Sequence, residues 1–425
     1  MRRLILISFI LALLVVGGAL WYFYGNLKVN IDIPPSADKL AAEENIHLQI
    51  KPNKRPPLGK LEILLVQGNK TLTLYKGNIK CADIDILVKT KEAGFKNGEA
   101  QIVAYLELPF KREKIFQKEV YIDTVPPTIS VLEKPRRLVI GEPGVVAVKT
   151  SPDTADIYVQ LGEAKFKLLS TENGTYKTVI TAPLFLLKSP ANYFIIATDE
   201  AGNTAKVYLP IAIKPKKFRT VKIELTKEKL EEIVLKYFSS PDNLVEKFTQ
   251  INTLFRAEDE EHIREICSNS EARLMAEKAF LQLPGSAPTA FYGDHRYYYY
   301  NGKLIGESVH KGIDLAKYRH APVVAANNGR VIFTGRLKIY GNTVIIDHGF
   351  GVFTLYGHLN DFTVSEGEYV KKGQLIGHTD TTGLALGDHL HFGVLIWGYA
   401  ANPIFFFDGY YLHYYFYNPL KKTFP

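Results

Sequence analysis

Two histidines stand two residues apart near the C-terminal end of the chain, in the run Gly387-Asp388-His389-Leu390-His391-Phe392-Gly393-Val394. Most of this run reads as a β-strand, and residues i and i+2 of a strand face the same side of a sheet. His389 and His391 are therefore predicted to project together as a candidate metal site. A second cluster, His310-Lys311-Gly312-Ile313-Asp314, offers an imidazole and a carboxylate. Since nine of the eleven histidines lie in the last third of the chain, the chemistry is predicted to lie there.

Imidazole and carboxylate groups without a thiolate suit Zn²⁺, and hydrolytic zinc sites commonly hold three protein ligands and one water. His310, Asp314 and one histidine of the pair would supply three ligands, and the spacing leaves open which one. Gly312 and Ile313 argue against a shared helix, so the ligands are expected on a loop and strands, unlike the helical His-Glu-x-x-His arrangement. The other histidine of the pair and His358 would then act on the water or on the developing oxyanion.

Strand patterns surround these residues from residue 283 to residue 407. Tyr297 to Tyr300 is followed by Asn301-Gly302, which suits a type I′ turn and predicts a hairpin. Further strands are predicted at residues 329–333, 343–347, 352–356, 372–377 and 390–396. Residues 283–407 are therefore predicted to form an antiparallel β domain. The aromatic tail at residues 408–425 is expected either to add a strand to it or to contact the cell wall.

Residues 27–213 consist of short alternating segments separated by Pro, Gly and Asn, a pattern typical of all-β domains. Two β-sandwiches are expected, at residues 27–125 and 126–215, divided at Val125-Pro126-Pro127. The second ends in a predicted hairpin whose turn, Ala201-Gly202-Asn203, resembles the closing turn of immunoglobulin-like modules of bacterial envelope proteins. The sandwiches are interpreted as spacers, or as modules that recognise the wall or an envelope protein.

Residues 216–282 change to a helical period. Thr226 is the predicted N-cap of a first helix, and Ser240 with Pro241 at the first helical position predicts the start of a second. A third helix is expected from about Glu258 to Ser270. This helical block is either a linker or an autoinhibitory lid over the site, and the sequence leaves both open.

The N-terminus carries a predicted membrane anchor at residues 1–26. After Arg2 and Arg3, the 21 residues from Leu4 to Tyr24 carry no charge. At roughly 1.5 Å per residue, such a helix spans about 30 Å of hydrocarbon. The preceding arginines predict a single pass through the inner membrane with residues from about 25 onward periplasmic or otherwise outside the cytoplasm. A cleaved signal peptide is the alternative.

Composition excludes some classes of function. The net charge of +8 is modest for 425 residues and is spread along the chain, so no nucleic-acid partner is expected. The chain has two cysteines, Cys81 and Cys267, in segments that read as different domains. They are expected to be buried free thiols.

The C-terminal blocks resemble those of the lysostaphin-type (LytM-like) zinc metallopeptidases, which cut peptide cross-links or bridges in peptidoglycan. The blocks occur in order over about 120 residues: His310-Lys311-Gly312-Ile313-Asp314-Leu315-Ala316, Ile346-Asp347-His348-Gly349-Phe350-Gly351, Thr354-Leu355-Tyr356-Gly357-His358-Leu359, Gly373-Gln374-Leu375-Ile376-Gly377 and His389-Leu390-His391-Phe392. The loop before the paired histidines departs from the Gly-Pro step of many members, which bears on substrate preference.

The resemblance implies a role for each histidine. It assigns His310, Asp314 and His391 to one zinc ion per chain, and His358 and His389 to catalysis. His348 is expected to be structural. The remaining histidines of the region match no catalytic position and are expected at the surface or in the groove: His295, His320, His378 and His413.

The sequence therefore predicts a mainly β protein with one transmembrane helix, two immunoglobulin-like β-sandwiches, a helical block and a LytM-like peptidase domain. Its predicted function is that of a membrane-anchored zinc endopeptidase acting on peptidoglycan peptides. The alternative is a non-catalytic protein of the same fold that binds the wall or activates a separate hydrolase.

Overall fold

The structure is a computed structural model that describes residues 2–171 and 174–424. Met1 and Pro425, the two ends of the predicted domain division, lie outside the described residues. The chain is mainly β, as predicted. It divides into two compact units. The first comprises residues up to 128 with residues 153–156 and 197–205, and the second comprises the rest.

The chain begins with one long apolar helix, Arg2–Tyr24. From Ile7 to Tyr24 none of its residues is buried, and it is long and apolar enough to cross a membrane. The sequence prediction of a helix of spanning length is therefore confirmed at the level of secondary structure.

The first unit holds two sheets around one core. One sheet has the strand order Val29–Asp32, Glu44–Pro52, Ala82–Val88, and the other the order Lys39–Leu40, Lys111–Ile122, Gly98–Leu108, Lys60–Gln67, Lys70–Asn78. Alternate residues of the strands point inward, so Ile46 and Leu48 of the first sheet and Ile63 and Ile102 of the second fall into the same buried cluster.

Two further four-stranded sheets follow. Their strand orders are Leu169–Ser170, Thr175–Thr181, Pro143–Thr150, Ile129–Glu133, and Ala164–Lys167, Thr154–Leu161, Tyr193–Asp199, Thr204–Leu209. A parallel pair, Arg137–Val139 with Ala212–Lys214, adjoins them. The predicted hairpin near residue 202 is present, because Tyr193–Asp199 and Thr204–Leu209 are neighbours in the second sheet.

The C-terminal part is organised around one eight-stranded sheet. Its strand order is Ala287–Ala290, Ile313–Ala316, Leu390–Ile396, Val352–Leu359, Gly341–Asp347, Gly329–Leu337, Tyr369–Val370, and Tyr399–Ala401 pairs with Leu390–Ile396. A two-stranded sheet joins Pro322–Val324 to Leu375–His378. Every residue of Leu390–Ile396 and of Val352–Leu359 is buried, so both strands are covered on both faces.

A separate three-stranded sheet flanks this one. It joins Thr220–Glu224 in parallel to His295–Tyr300, which pairs in turn with Lys303–Val309. The predicted hairpin turn is confirmed, since Asn301 and Gly302 have φ angles of 49° and 71°, both positive as a type I′ turn requires.

The helical block contains two helices rather than three. The first is Lys227–Leu235, and its N-cap Thr226 accepts a hydrogen bond from the amide of Lys229, as predicted. Leu244–Gln250 continues through a π-helical turn at Ile251–Phe255 into Arg256–Ile266 as one long helix.

The prediction that Ser240 caps the second helix is wrong. The N-cap is Asn243, whose side-chain oxygen accepts hydrogen bonds from the amides of Val245 and Glu246. This amide side chain satisfies two otherwise unpaired N–H groups three residues later than predicted, so Pro241 lies before the helix and not at its first position.

The helices share one hydrophobic core with the C-terminal sheet. Ile233 and Val234 of the first helix and Phe248 of the second lie in the same buried cluster as Ile345 and Leu355 of the large sheet. At roughly 1.5–3 kcal/mol per fully buried large apolar side chain, this packing fixes the helices to the sheet. The helical block therefore packs directly on the large sheet through a shared core.

The aromatic tail forms short helical turns instead of the expected strand: Ile404–Phe407, Gly409–Leu412, a π-helical turn at His413–Tyr417, and Asn418–Lys421. Asp408 caps the second of these turns, Gly409–Leu412, because its carboxylate accepts hydrogen bonds from the amides of Tyr410 and Tyr411. Tyr411 donates to the carbonyl of Pro143 at 2.7 Å, and Lys177 donates to the carbonyl of Leu420 at 2.7 Å. The tail is thereby fixed to the strand Pro143–Thr150 and its neighbour.

The cysteine prediction is half right. Both thiols are free, and Cys267 is buried in the shared core. Cys81 is exposed, contrary to the expectation, because it lies in the turn before the edge strand Ala82–Val88.

Candidate active site

The register of the large sheet brings the predicted site residues together. Asp314 lies directly opposite His391, and His391 lies opposite Gly357 on its other side. Directly opposed residues of antiparallel strands project to the same face. The strand Leu390–Ile396 therefore sets His391 between the strand that carries Asp314 and the strand that carries His358.

A bulge aims His358 at the same cleft. Gly357 and His358 together stand opposite one residue of the neighbouring strand, and His358 has a positive φ of 60°. Regular alternation would turn His358 to the face opposite that of Gly357. The bulge reverses this, so the ring centroids of His358 and His391 lie 5.9 Å apart.

Three candidate ligand atoms converge in the cleft. His310 Nε2 lies 2.8 Å from Asp314 Oδ1 and 3.0 Å from His391 Nδ1, and the last two atoms are 2.9 Å apart. All three residues are at most 7% exposed. Zn²⁺ bonds of about 2.0 Å place tetrahedral ligand atoms about 3.3 Å apart, so the donor set fits this ion in type and spacing.

Neighbouring groups orient these side chains. The carbonyl of Phe291 accepts a hydrogen bond from His310 Nδ1 at 3.0 Å, which leaves Nε2 as the free lone pair facing the cluster. Arg296 donates to the second oxygen of Asp314 at 2.7 Å. Burial alone would raise the pKa of Asp314, but the three histidine rings around it outweigh this and hold its pKa well below its usual range.

His358 and His389 also line the cleft, with ring centroids 4.8 Å apart. Their Nδ1 atoms donate to the carbonyls of Thr382 and Gly387, each at 2.7 Å, so each ring presents Nε2 to the cleft. Burial, helped by the two neighbouring histidines, holds the pKa of His358 well below its usual value. Burial would also lower the pKa of His389, but the hydrogen bond and charge of Asp314 raise it. At neutral pH His358 is therefore a neutral ring, whereas His389 holds its proton more strongly than a free histidine.

The cleft is a groove of about 400 Å³ between the large sheet and the helical block. Besides the predicted residues, it is lined by Tyr340, whose ring lies 5.2 Å from that of His391, and by Arg256 and Arg296. The sequence reasoning missed all three residues. They lie outside the histidine-bearing motifs, and only the fold brings them to the groove.

The other histidines lie away from the groove, among the residues that the structure describes. His348 is fully buried between the carbonyl of Asn328 and the hydroxyl of Thr354, both at 2.7 Å. This geometry agrees with a structural role. The remaining four of the C-terminal region are partly or fully exposed, and none lines the groove: His295, His320, His378 and His413.

Replacement of His348 by glutamine is expected to reduce the loss of stability in mild acid. Burial lowers the pKa of His348 to about 4, from 6.5 for a free side chain. Because the folded pKa is depressed, the stabilisation is complete above pH 6.5 and is lost as the pH falls towards 4. The wild type should lose about 2–3 kcal/mol more than His348→Gln over this window, measured by urea unfolding of the C-terminal domain at each pH. Parallel curves for the two proteins would contradict this.

The helical block also holds the loop that precedes the paired histidines. Lys236 donates to the carbonyls of Thr381, Gly383 and Ala385 at 2.9, 3.3 and 3.1 Å. The carbonyl of Thr382, in the same loop, accepts the hydrogen bond from His358. One lysine thus supports the loop that orients a site residue.

Lys236→Met is expected to lower both stability and activity. It removes a charge from three carbonyls, which should cost about 1–3 kcal/mol in the free energy of unfolding. Thermal unfolding and turnover of the full chain measure the two effects. Lys227→Met, at an exposed position of the same helix, is the matched control and should change neither. Equal behaviour of the two variants would show that the loop does not depend on Lys236.

Comparison with known proteins identifies the domain that carries the site. A model of peptidase family M23 matches residues 308–403. The DD-carboxypeptidase/endopeptidase Mpg of Neisseria meningitidis serogroup B is 44% identical over 96 residues, which are 23% of this chain and 22% of that protein. The peptidoglycan DD-endopeptidase ShyA of Vibrio cholerae is 37% identical over 95 residues, 22% of each chain.

A third relative has a different function. The murein hydrolase activator NlpD of Salmonella dublin is 36% identical over 110 residues, 24% of this chain and 29% of that protein. The chain spans less than a third of the length of each of these relatives. The part of the chain at residues 308–403 is a peptidase family M23 domain, which confirms the predicted resemblance to the LytM-like peptidases.

Proposed function

We propose that this chain is a zinc-dependent endopeptidase that hydrolyses peptide cross-links of peptidoglycan. The observation that carries the proposal is the convergence of His310 Nε2, Asp314 Oδ1 and His391 Nδ1 to within 2.8–3.0 Å of one another. Two further histidines, His358 and His389, direct their Nε2 atoms into the same cleft, and that of His389 lies 3.6 Å from Asp314 Oδ1. The relatives named as DD-endopeptidases support the substrate class.

In this proposal His310, Asp314 and His391 hold one Zn²⁺ per chain. Bound there, Zn²⁺ would supply Lewis-acid polarisation of the scissile carbonyl and lower the pKa of a water molecule towards about 7. Arg296 and the carbonyl of Phe291 orient two of the three ligands through their outer atoms. Such outer contacts are worth about 10–100-fold in metal affinity.

His358 and His389 are the proposed catalytic residues. His358 is the base, because its depressed pKa leaves Nε2 free to accept a proton from the attacking water at neutral pH. His389 holds its proton more strongly, and it donates a hydrogen bond from Nε2 to the developing oxyanion of the substrate. The proton then passes from His358 to the leaving amine.

The proposed location of this site is the cell envelope. The helix Arg2–Tyr24 is proposed to anchor the chain as a single pass in the inner membrane, with residues from about 25 onward periplasmic. The proposed division is 1–26 anchor, 27–125 and 126–215 β-sandwiches, 216–282 helical block, 283–407 peptidase and 408–425 tail. The sandwiches act as spacers in this scheme and offer surfaces to an envelope partner.

Activation of a separate wall hydrolase is the second candidate function, because one relative is a murein hydrolase activator. The complete set of two candidate catalytic histidines beside three candidate ligands supports the enzyme over the activator.

The deciding experiment uses the purified full chain in detergent, loaded with Zn²⁺ and incubated with cross-linked muropeptide dimers. Conversion of dimers into monomers, seen by chromatography and mass spectrometry, is the expected result. If the dimers persist while the chain accelerates a separate wall hydrolase, it is an activator. If the dimers persist and no hydrolase is accelerated, both functions are excluded.

A further inference from the structure

The groove beside the candidate metal ligands is lined by both acidic and cationic side chains, and the acidic ones are Asp294, Asp314 and Asp388. Four cationic side chains line it: Arg219, Arg256, Arg296 and Lys311. Three of them are in ion pairs, Arg219 with Asp294, Arg296 with Asp314, and Lys311 with Glu260. Arg256 has no carboxylate within ion-pairing distance among the residues that the structure describes. Its charge is therefore available to a ligand.

The fold holds the guanidinium of Arg256 in a fixed direction. Its Nε and one terminal nitrogen donate to the backbone and side-chain oxygens of Asn252, at 3.3 and 3.1 Å. Asn252 is 3% exposed and is anchored by its own hydrogen bond to the carbonyl of Glu307 at 2.9 Å. Arg256 is thus pre-oriented, which reduces the entropy lost when it binds a ligand.

The backbone around Asn252 is adapted to this arrangement. Asn252 lies in the π-helical turn Ile251–Phe255, an irregularity often found at functional sites. Gly306 faces it, and a Cβ atom there would lie 3.1 Å from the side-chain nitrogen of Asn252. The turn and the missing side chain let the helix approach the strand Lys303–Val309, and this places Arg256 at the groove.

We propose that Arg256 binds a free carboxylate of the substrate peptide, and so makes this enzyme specific for stem peptides whose carboxylates are not amidated. The proposal rests on the peptidoglycan endopeptidase function argued above. A planar guanidinium matches a carboxylate through two parallel hydrogen bonds, and a neutral amide would forfeit the charge-assisted part of that interaction. Because Arg256 belongs to the helical block, this block supplies specificity to the peptidase domain.

The test compares two cross-linked tetrapeptide dimers that differ only in whether the diamino acid carries a free carboxylate or its amide. The full chain is expected to cleave the free form with a KM about 10- to 100-fold lower, from the usual strength of charge-assisted hydrogen bonds. Arg256→Gln should remove this preference by raising KM for the free form alone, with kcat unchanged. Arg256→Lys should restore it in part.

Arg264→Gln is the matched control, since Arg264 lies on the same helix, pairs with Glu261 and does not line the groove. It should keep the preference. Equal cleavage of both forms by the wild type, or an equal loss on both forms in Arg256→Gln, would overturn the proposal.

A binding measurement separates this proposal from the proposed function. Calorimetry with the linear tetrapeptide, free or amidated, reports recognition without cleavage. If the chain cleaves neither dimer, the proposed function fails, and the tetrapeptides still decide the role of Arg256. A preference for the free form that disappears in Arg256→Gln would support a carboxylate site, and equal binding of the two forms would exclude it.

Discussion

His310→Ala is expected to lower zinc affinity by at least about 100-fold and to reduce cross-link cleavage to background. Removing an outer hydrogen bond from a metal ligand typically costs about 10–100-fold in affinity, and loss of a ligand atom costs more. His310 Nε2 lies 2.8 and 3.0 Å from the two other candidate ligand atoms, so the substitution removes one of three candidate ligand atoms. Zinc per chain after dialysis, measured by elemental analysis, and conversion of muropeptide dimers are the two readouts.

Two controls separate a metal effect from misfolding. His378→Ala removes a partly exposed histidine that pairs with Asp361 outside the groove, and it should keep both zinc and activity. Asp314→Asn preserves size but removes the charged ligand, and it should lose zinc while keeping a native circular dichroism spectrum. Chelation of the wild type should abolish cleavage, and added Zn²⁺ should restore it. Full zinc occupancy in His310→Ala would disprove the assigned ligand set.

The shared side of His389 and His391 could be predicted from the sequence because it depends on the period of a strand. His389 and His391 were expected on one side of the sheet, and the structure places their ring nitrogens 3.6 and 2.9 Å from Asp314 Oδ1. Spacing alone did not show which histidine completes the cluster, since both reach the same carboxylate. That choice came from the family resemblance, and the roles of the residues stay predictions.

The position of His358 could not be derived from a strand period. Its ring reaches the cleft only because a bulge and a φ of 60° reverse the side on which it projects. Neither feature has a clear local signature, because positive φ is uncommon for residues other than glycine.

The packing partner of the helical block could not be predicted from the sequence either. Its amphipathic period predicted a buried face around Ile233 and Phe248, but not that this face would share a core with the peptidase sheet. The conformation of the tail at residues 408–425 was not predicted either, because its aromatic residues suggested a strand. Asp408 and the neighbouring aromatic packing, Phe406 against Phe416, gave helical turns instead. Long-range packing decided the position of the helical block, and local capping with local aromatic packing decided the conformation of the tail.

His358→Ala and His389→Ala are each expected to retain zinc and to lower kcat about 100-fold or more. Neither residue belongs to the candidate ligand group of His310, Asp314 and His391, so zinc occupancy there should not change. Proton transfer by a positioned histidine is worth about 10²–10⁴-fold, and a single oxyanion donor is worth a similar amount. Zinc content and steady-state cleavage measure the two properties, and KM should change little, because neither histidine is assigned to substrate binding.

The double variant His358→Ala with His389→Ala tests whether the two residues act as a unit. Their ring centroids lie 4.8 Å apart over the same cleft, and both are proposed to act in the same addition step. Groups that act together in one transition state have non-additive effects, so the double variant should be only slightly slower than the worse single variant. His413→Ala removes an exposed histidine outside the groove, and this variant should behave as the wild type. If the kcat of the double variant falls by the product of the two single losses, the two histidines act in separate steps. If either single variant loses zinc, that histidine is a metal ligand instead.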